Sequence, residues 1–303
     1  MTDYSIQRGP WGKPWITRDH SPLDWGPDEA VRADRPLNGH LYDRVSDLSG
    51  NLDTKENLSP YHQAQAVMGM MMDRALAVQF KALMSEHGLG TWTKAKGEVK
   101  DLLKAARAAG GEEFKSGMGT GLHRYTMLRD KGIEPEFVTP EFEPWLDCYE
   151  QAMNEAKLKV LDWEQFVVTD DLENPGTKAD IQVAGSFDKL VENTETGEVM
   201  IADFKSGKDD NRFAMKPTNQ ITAYAHGEQY DQETGRRWPI HDNVSLKTGL
   251  LIHAPFNGGG SPECTIYPLD LERGWELATM SRDITEARKM RVLVRDALAR
   301  VKA

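Results

Sequence analysis

Apolar residues recur at near-helical spacing through the first half of the chain and at strand spacing through the second. Ser59–Pro60 suits a helix cap and first turn. Val67, Met70, Met71, Leu76, Phe80 and Met84 then follow close to a helical period. The pattern predicts one long helix, with its methionines filling core gaps, that stops at Gly88 and Gly90. A second helix is predicted over Lys96–Ala109, ending at the Gly110–Gly111 pair. A third follows "GMGTG", from near Thr120 to Leu128. A fourth lies within 141–160, where Phe142, Trp145, Leu146, Tyr149 and Met153 form the apolar stripe.

The period then changes. "KVLDWEQFVVT" predicts a strand. "DIQVAGSFDKLVE" and "EVMIADFKS" predict two more, joined by the polar turn "NTETG". "PTNQITAYAHGEQY" predicts a helix from near Thr218. "KTGLLIHAPF" and "CTIYPLD" predict two strands around "NGGGSPE". Leu271–Val301 predicts a long amphipathic helix whose basic and acidic residues interleave, as on a solvated face. The order predicts a mixed α/β (α+β) chain with a helical N-terminal half. Residues 1–38 show no sustained period and predict an irregular arm. Trp11, Trp15 and Trp25 would pack that arm onto the domain or, alternatively, stack nucleobases. Residues 39–303 are expected to form one domain: a mainly helical part over 39–160, the sheet over 161–270 and a C-terminal helix over 271–303.

Composition narrows the class. The 303 residues are 39% hydrophobic, enough for a sizeable core. The formal charge of -11 argues against a uniformly basic nucleic-acid coat, although local charge around a site is a separate matter. The two cysteines, Cys148 and Cys264, fit no CxxC pattern and suit a reduced, cytoplasmic setting. The N-terminus lacks the apolar core of a signal peptide. The run "AVMGMMMDRALAVQF" is broken by Asp73 and Arg74 and is too short to span a membrane.

The chemistry concentrates in "GSFDKL" and "IADFKSGK". Side chains two apart on a strand share a face, so Asp203 and Lys205 point the same way. The five-residue turn Asn193–Gly197 brings Asp188 alongside Asp203. Two close carboxylates need a proton or a cation between them. Mg²⁺ or Mn²⁺ with oxygen ligands answers that need and polarises a phosphodiester. Lys205 would orient or deprotonate water and offset phosphate charge. Glu164, on the expected strand "WEQFV", is a further candidate ligand. His123 follows glycines that permit close backbone approach. A D-x-K triplet is equally compatible with a simple ion pair, so both readings stand at this level.

In sequence order, "GTGLH" with His123, "WEQFVV" with Glu164, "GSFDKL" with Asp188, "IADFKSGK" with Asp203 and Lys205, and "QITAY" with Gln220 and Tyr224 resemble the PD-(D/E)xK nuclease superfamily, in its RecB/Cas4-like phage exonuclease branch. The likeness covers residues 118–226, and less specifically 38–90. It implies a restriction-endonuclease-like core, a central mixed sheet flanked by helices. It also implies His123, Asp188 and Asp203 as metal ligands, Lys205 as the catalytic lysine and a Gln220/Tyr224 helix beside the site. Glu164 has a less uniform part; Ser206 and Arg124 would shape the site. Only two cysteines are present, so the four-cysteine iron–sulfur cluster of some relatives is excluded. No Walker A motif occurs, so any helicase would be a partner. The implied activity is an Mg²⁺- or Mn²⁺-dependent DNA exonuclease in phage recombination or replication. It would act on linear DNA ends in a bacterial host's cytoplasm and hand single strands to an annealing protein. A structure-specific endonuclease and a non-catalytic DNA-binding or assembly protein are the alternatives. Arg124, Arg129, Lys131, Lys208, Arg212 and Lys216 flank the motifs as candidate backbone contacts.

Overall fold

The computed structural model describes residues 6–26, 35–52, 58–135, 137–170, 182–207, 214–256 and 261–289. Lys208, Arg212 and the last turns of the expected C-terminal helix lie outside them. The chain divides into two compact units, Met1–Asp53 with Glu143–Ala303, and Thr54–Phe142.

The first unit begins with short elements: β1 (Trp15–Ile16), β2 (His40–Leu41), β3 (Asp43–Arg44) and α1 (Val45–Ser49). β1 pairs with β2, and β3 joins one of the main sheets. Of the arm's three tryptophans, Trp15 is buried; Trp11 is 80% exposed and Trp25 38%. Anchoring by Trp11 and Trp25 is therefore corrected. The arm is held largely through its backbone: Gln232 accepts from Gln7 N and donates to the Gln7 and Trp15 carbonyls, and the Tyr230 hydroxyl accepts from Thr17 N.

The second unit is helical, with α2 (Leu58–Met72), α3 (Arg74–His87), α4 (Thr91–Lys94), α5 (Lys96–Ala109) and α6 (Glu112–Asp130). The single long helix expected from Ser59 is divided at Asp73, which leaves helical geometry and caps α3 by accepting from Ala75 N. The expected core stripe is also corrected. Val67, Met71 and Met84 are exposed, while Gln65 and Ala66 are buried. The reason is close helix packing through small residues. A Cβ on Gly69 would stand 1.7 Å from the Ala106 carbonyl oxygen, and one on Gly110 would stand 2.2 Å from that of Gln65. Backbones this close turn the small-residue face inward and leave Met68, Met71 and Met72 outside, with Met70 half-buried. α6 begins well before Thr120, so the glycines of "GMGTG" lie inside a helix.

The first unit resumes with α7 (Glu143–Glu155), whose Trp145, Leu146, Tyr149 and Met153 are buried as expected. Then come β4 (Leu158–Trp163), β5 (Phe166–Thr169), β6 (Val183–Ser186), β7 (Lys189–Asn193), β8 (Val199–Lys205), α8 (Met215–Ala225), β9 (Glu228–Tyr230), β10 (Arg237–Pro239), β11 (Thr248–His253), β12 (Thr265–Asp270) and α9 (Leu271–Lys289). One five-stranded sheet has the order β10-β9-β5-β6-β3; the other has β12-β11-β8-β7-β4. The fold is mixed α/β, with two multi-stranded sheets flanked by helices.

Two stretches expected as single strands each serve both sheets. "KVLDWEQFVVT" contributes β4 to one and β5 to the other; "VAGSFDKLVE" contributes β6 and β7. Their pairing is continuous across the bend. Phe166 faces Ser186, Phe187 N donates to the Gln165 carbonyl, Glu164 N donates to the Asp188 carbonyl, and Trp163 faces Lys189. The bent ribbon folds around α8. Val167 and Val183 from one sheet and Leu190, Ile201 and Leu251 from the other join Ile221, Ala223 and Tyr224 in one core. Burial of both inner faces against one helix explains the bend. α7 covers the opposite face of the second sheet, with Tyr149 edge-on to Phe204.

Candidate functional site

The last described pair between β7 and β8 is Lys189 opposite Ala202, so Asp188 is set one step beyond, across from Asp203. The bend then takes Asp188 out of the ladder. Its Oδ2 accepts from Phe204 N at 2.8 Å. A carboxylate thus takes the place of a strand carbonyl at the end of β8, which fixes its position.

Asp203 is 2% exposed, and its Oδ2 lies 2.5 Å from Lys205 Nζ. The Lys205 side chain keeps 43% of its surface exposed, against 3% for Asp203. The pair joins a buried carboxylate to a lysine whose side chain is partly open to solvent. Desolvation lowers the Lys205 pKa, but the Asp203 and Asp188 carboxylates outweigh it and hold the ammonium above its ordinary value. Both carboxylates therefore act at Lys205.

α8 supplies the third side. Tyr224 is buried, and its ring meets Phe187 edge-on at 6.3 Å. Its hydroxyl occupies space that a side chain at residue 185 would need: a Cβ on Gly185 would stand 2.9 Å from it. Burial pushes the phenol well above its ordinary value, with Asp203 and Asp188 adding to the effect and a hydrogen bond from Gln220 opposing it. Gln220 Nε2 donates to that hydroxyl at 3.4 Å, one helical turn away. The phenol is therefore neutral and remains a donor.

Glu164 does not lie in a strand. It sits at the bend with φ of 47° and is exposed. Its backbone N–H donates to the Asp188 carbonyl. Ser206 follows β8, and its carbonyl accepts from Phe256 N. Lys216 stands in the first turn of α8. His123 and Arg124 stand inside α6 of the helical unit, not at a helix start; His123 is half-buried and Arg124 exposed.

Two features escaped the sequence. His253 ends β11 beside Lys205, in parallel register, and Nε2–H donates to the Gly207 carbonyl at 2.9 Å. The signal was a histidine closing the apolar strand "GLLIH", and only strand pairing could tell which carboxylate or lysine it would neighbour. The second is Arg8 in the arm, whose charge acts on Tyr224.

No group of three His, Cys, Asp or Glu side chains among the described residues is placed to hold a metal ion. Two hard carboxylates at one strand end nevertheless suit Mg²⁺ or Mn²⁺, since Mg²⁺ commonly keeps several waters and takes only one or two protein carboxylates. Both cysteines are free thiols, and burial, with Cys148 adding, pushes Cys264 up to about 12. No helix among the described residues is long and apolar enough to cross a membrane. Comparison with protein-family models and with curated proteins gives no match.

Proposed function

We propose that the chain is a divalent-metal-dependent deoxyribonuclease with a restriction-endonuclease-like core, acting as an exonuclease on linear DNA. The observation that carries this reading is the convergence of Asp188, Asp203 and Lys205 at the end of β8, with Gln220 and Tyr224 alongside on α8. That set also carries the resemblance to PD-(D/E)xK nucleases.

Asp188 and Asp203 would hold Mg²⁺ or Mn²⁺. When bound, the ion supplies charge for the phosphate oxygens and lowers the pKa of a water. Lys205 sets its ammonium against Asp203 Oδ2 and leaves part of its side chain open to solvent. It would orient the attacking water or stabilise charge developing on a non-bridging phosphate oxygen. Tyr224 and Gln220 keep Asp188 and Asp203 facing a neutral wall rather than a competing charge. Phage recombination, a single-strand annealing partner and a bacterial cytoplasm follow from the resemblance and belong to the same proposal. Endonucleolytic cleavage is its enzymatic variant.

The Asp203–Lys205 contact favours a second reading as well, a structural ion pair in a non-catalytic DNA-binding or assembly protein. One experiment separates them. End-labelled linear and closed circular DNA are incubated with the protein in Mg²⁺, Mn²⁺ or EDTA, beside Lys205→Met. Metal-dependent loss of linear DNA alone, reduced about a hundredfold or more in the variant, is expected. Cleavage of circles selects the endonuclease. No cleavage, with no rise in melting temperature on adding metal, selects the ion pair.

A further inference from the structure

The arm's first turn carries a feature that neither packing nor the carboxylate site uses. Pro10–Gly12 forms a 3-10 turn in which Trp11 takes φ of 60° and Gly12 takes 70°. A bulky residue at positive φ is disfavoured and persists where its surroundings impose it. Here the surroundings do so. Gly9 N donates to the Lys13 carbonyl at 2.8 Å, Arg8 and Pro14 form a β-bridge, and Gly9 lies so close to Trp15 and Leu41 that a Cβ would stand within 3 Å of both. The rigid turn holds Trp11 outward, 80% exposed. An indole displayed this way gains nothing for the core.

Two guanidinium groups flank the same turn. Arg8 Nη1 donates to the Gly12 carbonyl at 3.0 Å. Arg44 Nη1 stands 3.7 Å from where a Cβ on Gly12 would be. Arg44 gives Nε and Nη2 to Asp47, at 2.9 and 2.6 Å. Among the described residues Arg8 has no carboxylate partner. Partial desolvation and then the Arg44 charge lower the Arg8 pKa, while Tyr224 opposes them. Two like charges are therefore held at one turn. β3, which carries Arg44, pairs with β6, where a Cβ on Gly185 would stand 2.9 Å from the Tyr224 hydroxyl. One strand pair, β3 with β6, thus links the strand that carries Arg44 to the strand beside Tyr224.

We propose that Arg8, Trp11 and Arg44 dock one unpaired nucleotide of a DNA strand, the guanidinium groups holding its phosphate and the indole stacking its base. Phosphate recognition needs charged donors in a fixed fork, and base stacking needs an exposed aromatic face. The turn supplies both from a rigid backbone. The inference rests on the deoxyribonuclease reading, for which it gives the path of the substrate strand.

The test measures binding, not cleavage. Fluorescein-labelled single-stranded DNA and a blunt duplex of the same sequence are titrated in EDTA over a range of KCl, by anisotropy. Trp11→Ala is expected to weaken single-strand binding about tenfold and to change blunt-duplex binding less. Arg8→Gln and Arg44→Gln are each expected to lower the salt slope by about 0.7 on single strands. Lys159→Gln, exposed on the edge strand β4 of the other sheet, should leave both unchanged. Arg8 is exposed and makes one hydrogen bond to a carbonyl, so its variant tests the site even if Arg44→Gln melts early. Wild-type affinity and slope in both Trp11→Ala and Arg8→Gln would overturn the site, even with cleavage intact. Arg8- and Trp11-dependent binding by a protein that never cuts would support the site and remove the nuclease reading.

Discussion

Asp188 Oδ2 accepts the backbone N–H of Phe204 at 2.8 Å, where a continuing strand would have offered a carbonyl. One side chain thereby closes the β7–β8 pairing and places a carboxylate across from Asp203. The two tasks separate by substitution. Asp188→Asn keeps an oxygen acceptor and should cost less than about 1 kcal/mol, whereas Asp188→Ala leaves the Phe204 N–H without this acceptor and should cost about 1–3 kcal/mol. Both remove the charge, so both should lose metal-dependent cleavage by about a hundredfold or more. Urea unfolding beside a cleavage assay checks this. Equal stability in the two variants would show that the hydrogen bond contributes nothing to the fold.

The helical unit should respond to substitution opposite to its hydropathy. Gly69→Ala adds one methyl group where the Ala106 carbonyl oxygen stands 1.7 Å away, and backbone cannot move aside as a side chain tip can. A loss of about 2–3 kcal/mol is expected. Met71 is 78% exposed, and Met71→Gln should change stability by less than about 0.5 kcal/mol. Urea midpoints of the two variants would be compared with the parent. A larger loss at Met71 than at Gly69 would mean that α2 turns its methionines inward.

These cases mark where sequence reasoning reached and where it stopped. Lys96–Ala109, the buried stripe on α7 and the β8 strand followed from period and glycine stops, because each buries one regular face against one neighbour. The methionine stripe of α2 misled because small residues, not large ones, set how close α2 and α5 approach. Asp188, Asp203 and Lys205 were legible as one cluster because a hairpin register is local. The bend at Glu164 was not, since the apolar pattern runs unbroken through it and only the shared packing on α8 requires two sheets. "EQY" was absorbed into the preceding helix because β9 is a strand through its pairing with β5 and β10, which lie far from it or follow later. His253 reached the site through the pairing of β11 with β8, of which a single sequence holds no trace.

The pH dependence of stability should carry a contribution from His226. Its ring centre lies 4.1 Å from that of Trp275 at the end of α8, and burial lowers its pKa below the ordinary 6.5. In the unfolded chain the imidazole takes up its proton near 6.5. Between that value and the lower folded one, the unfolded state binds more protons, so stability falls as pH falls. The contribution is therefore complete above about pH 7, is lost as pH drops through the folded pKa, and levels off below it. His226→Phe keeps an aromatic ring against Trp275 and removes the titration. The carboxylates titrate in both proteins, so the difference between wild type and variant isolates the histidine. Urea midpoints measured from pH 7.5 to 5.0 should show wild type losing ground to His226→Phe as the solution is acidified. Parallel curves across that range would mean that His226 is as well solvated in the folded protein as in the unfolded chain.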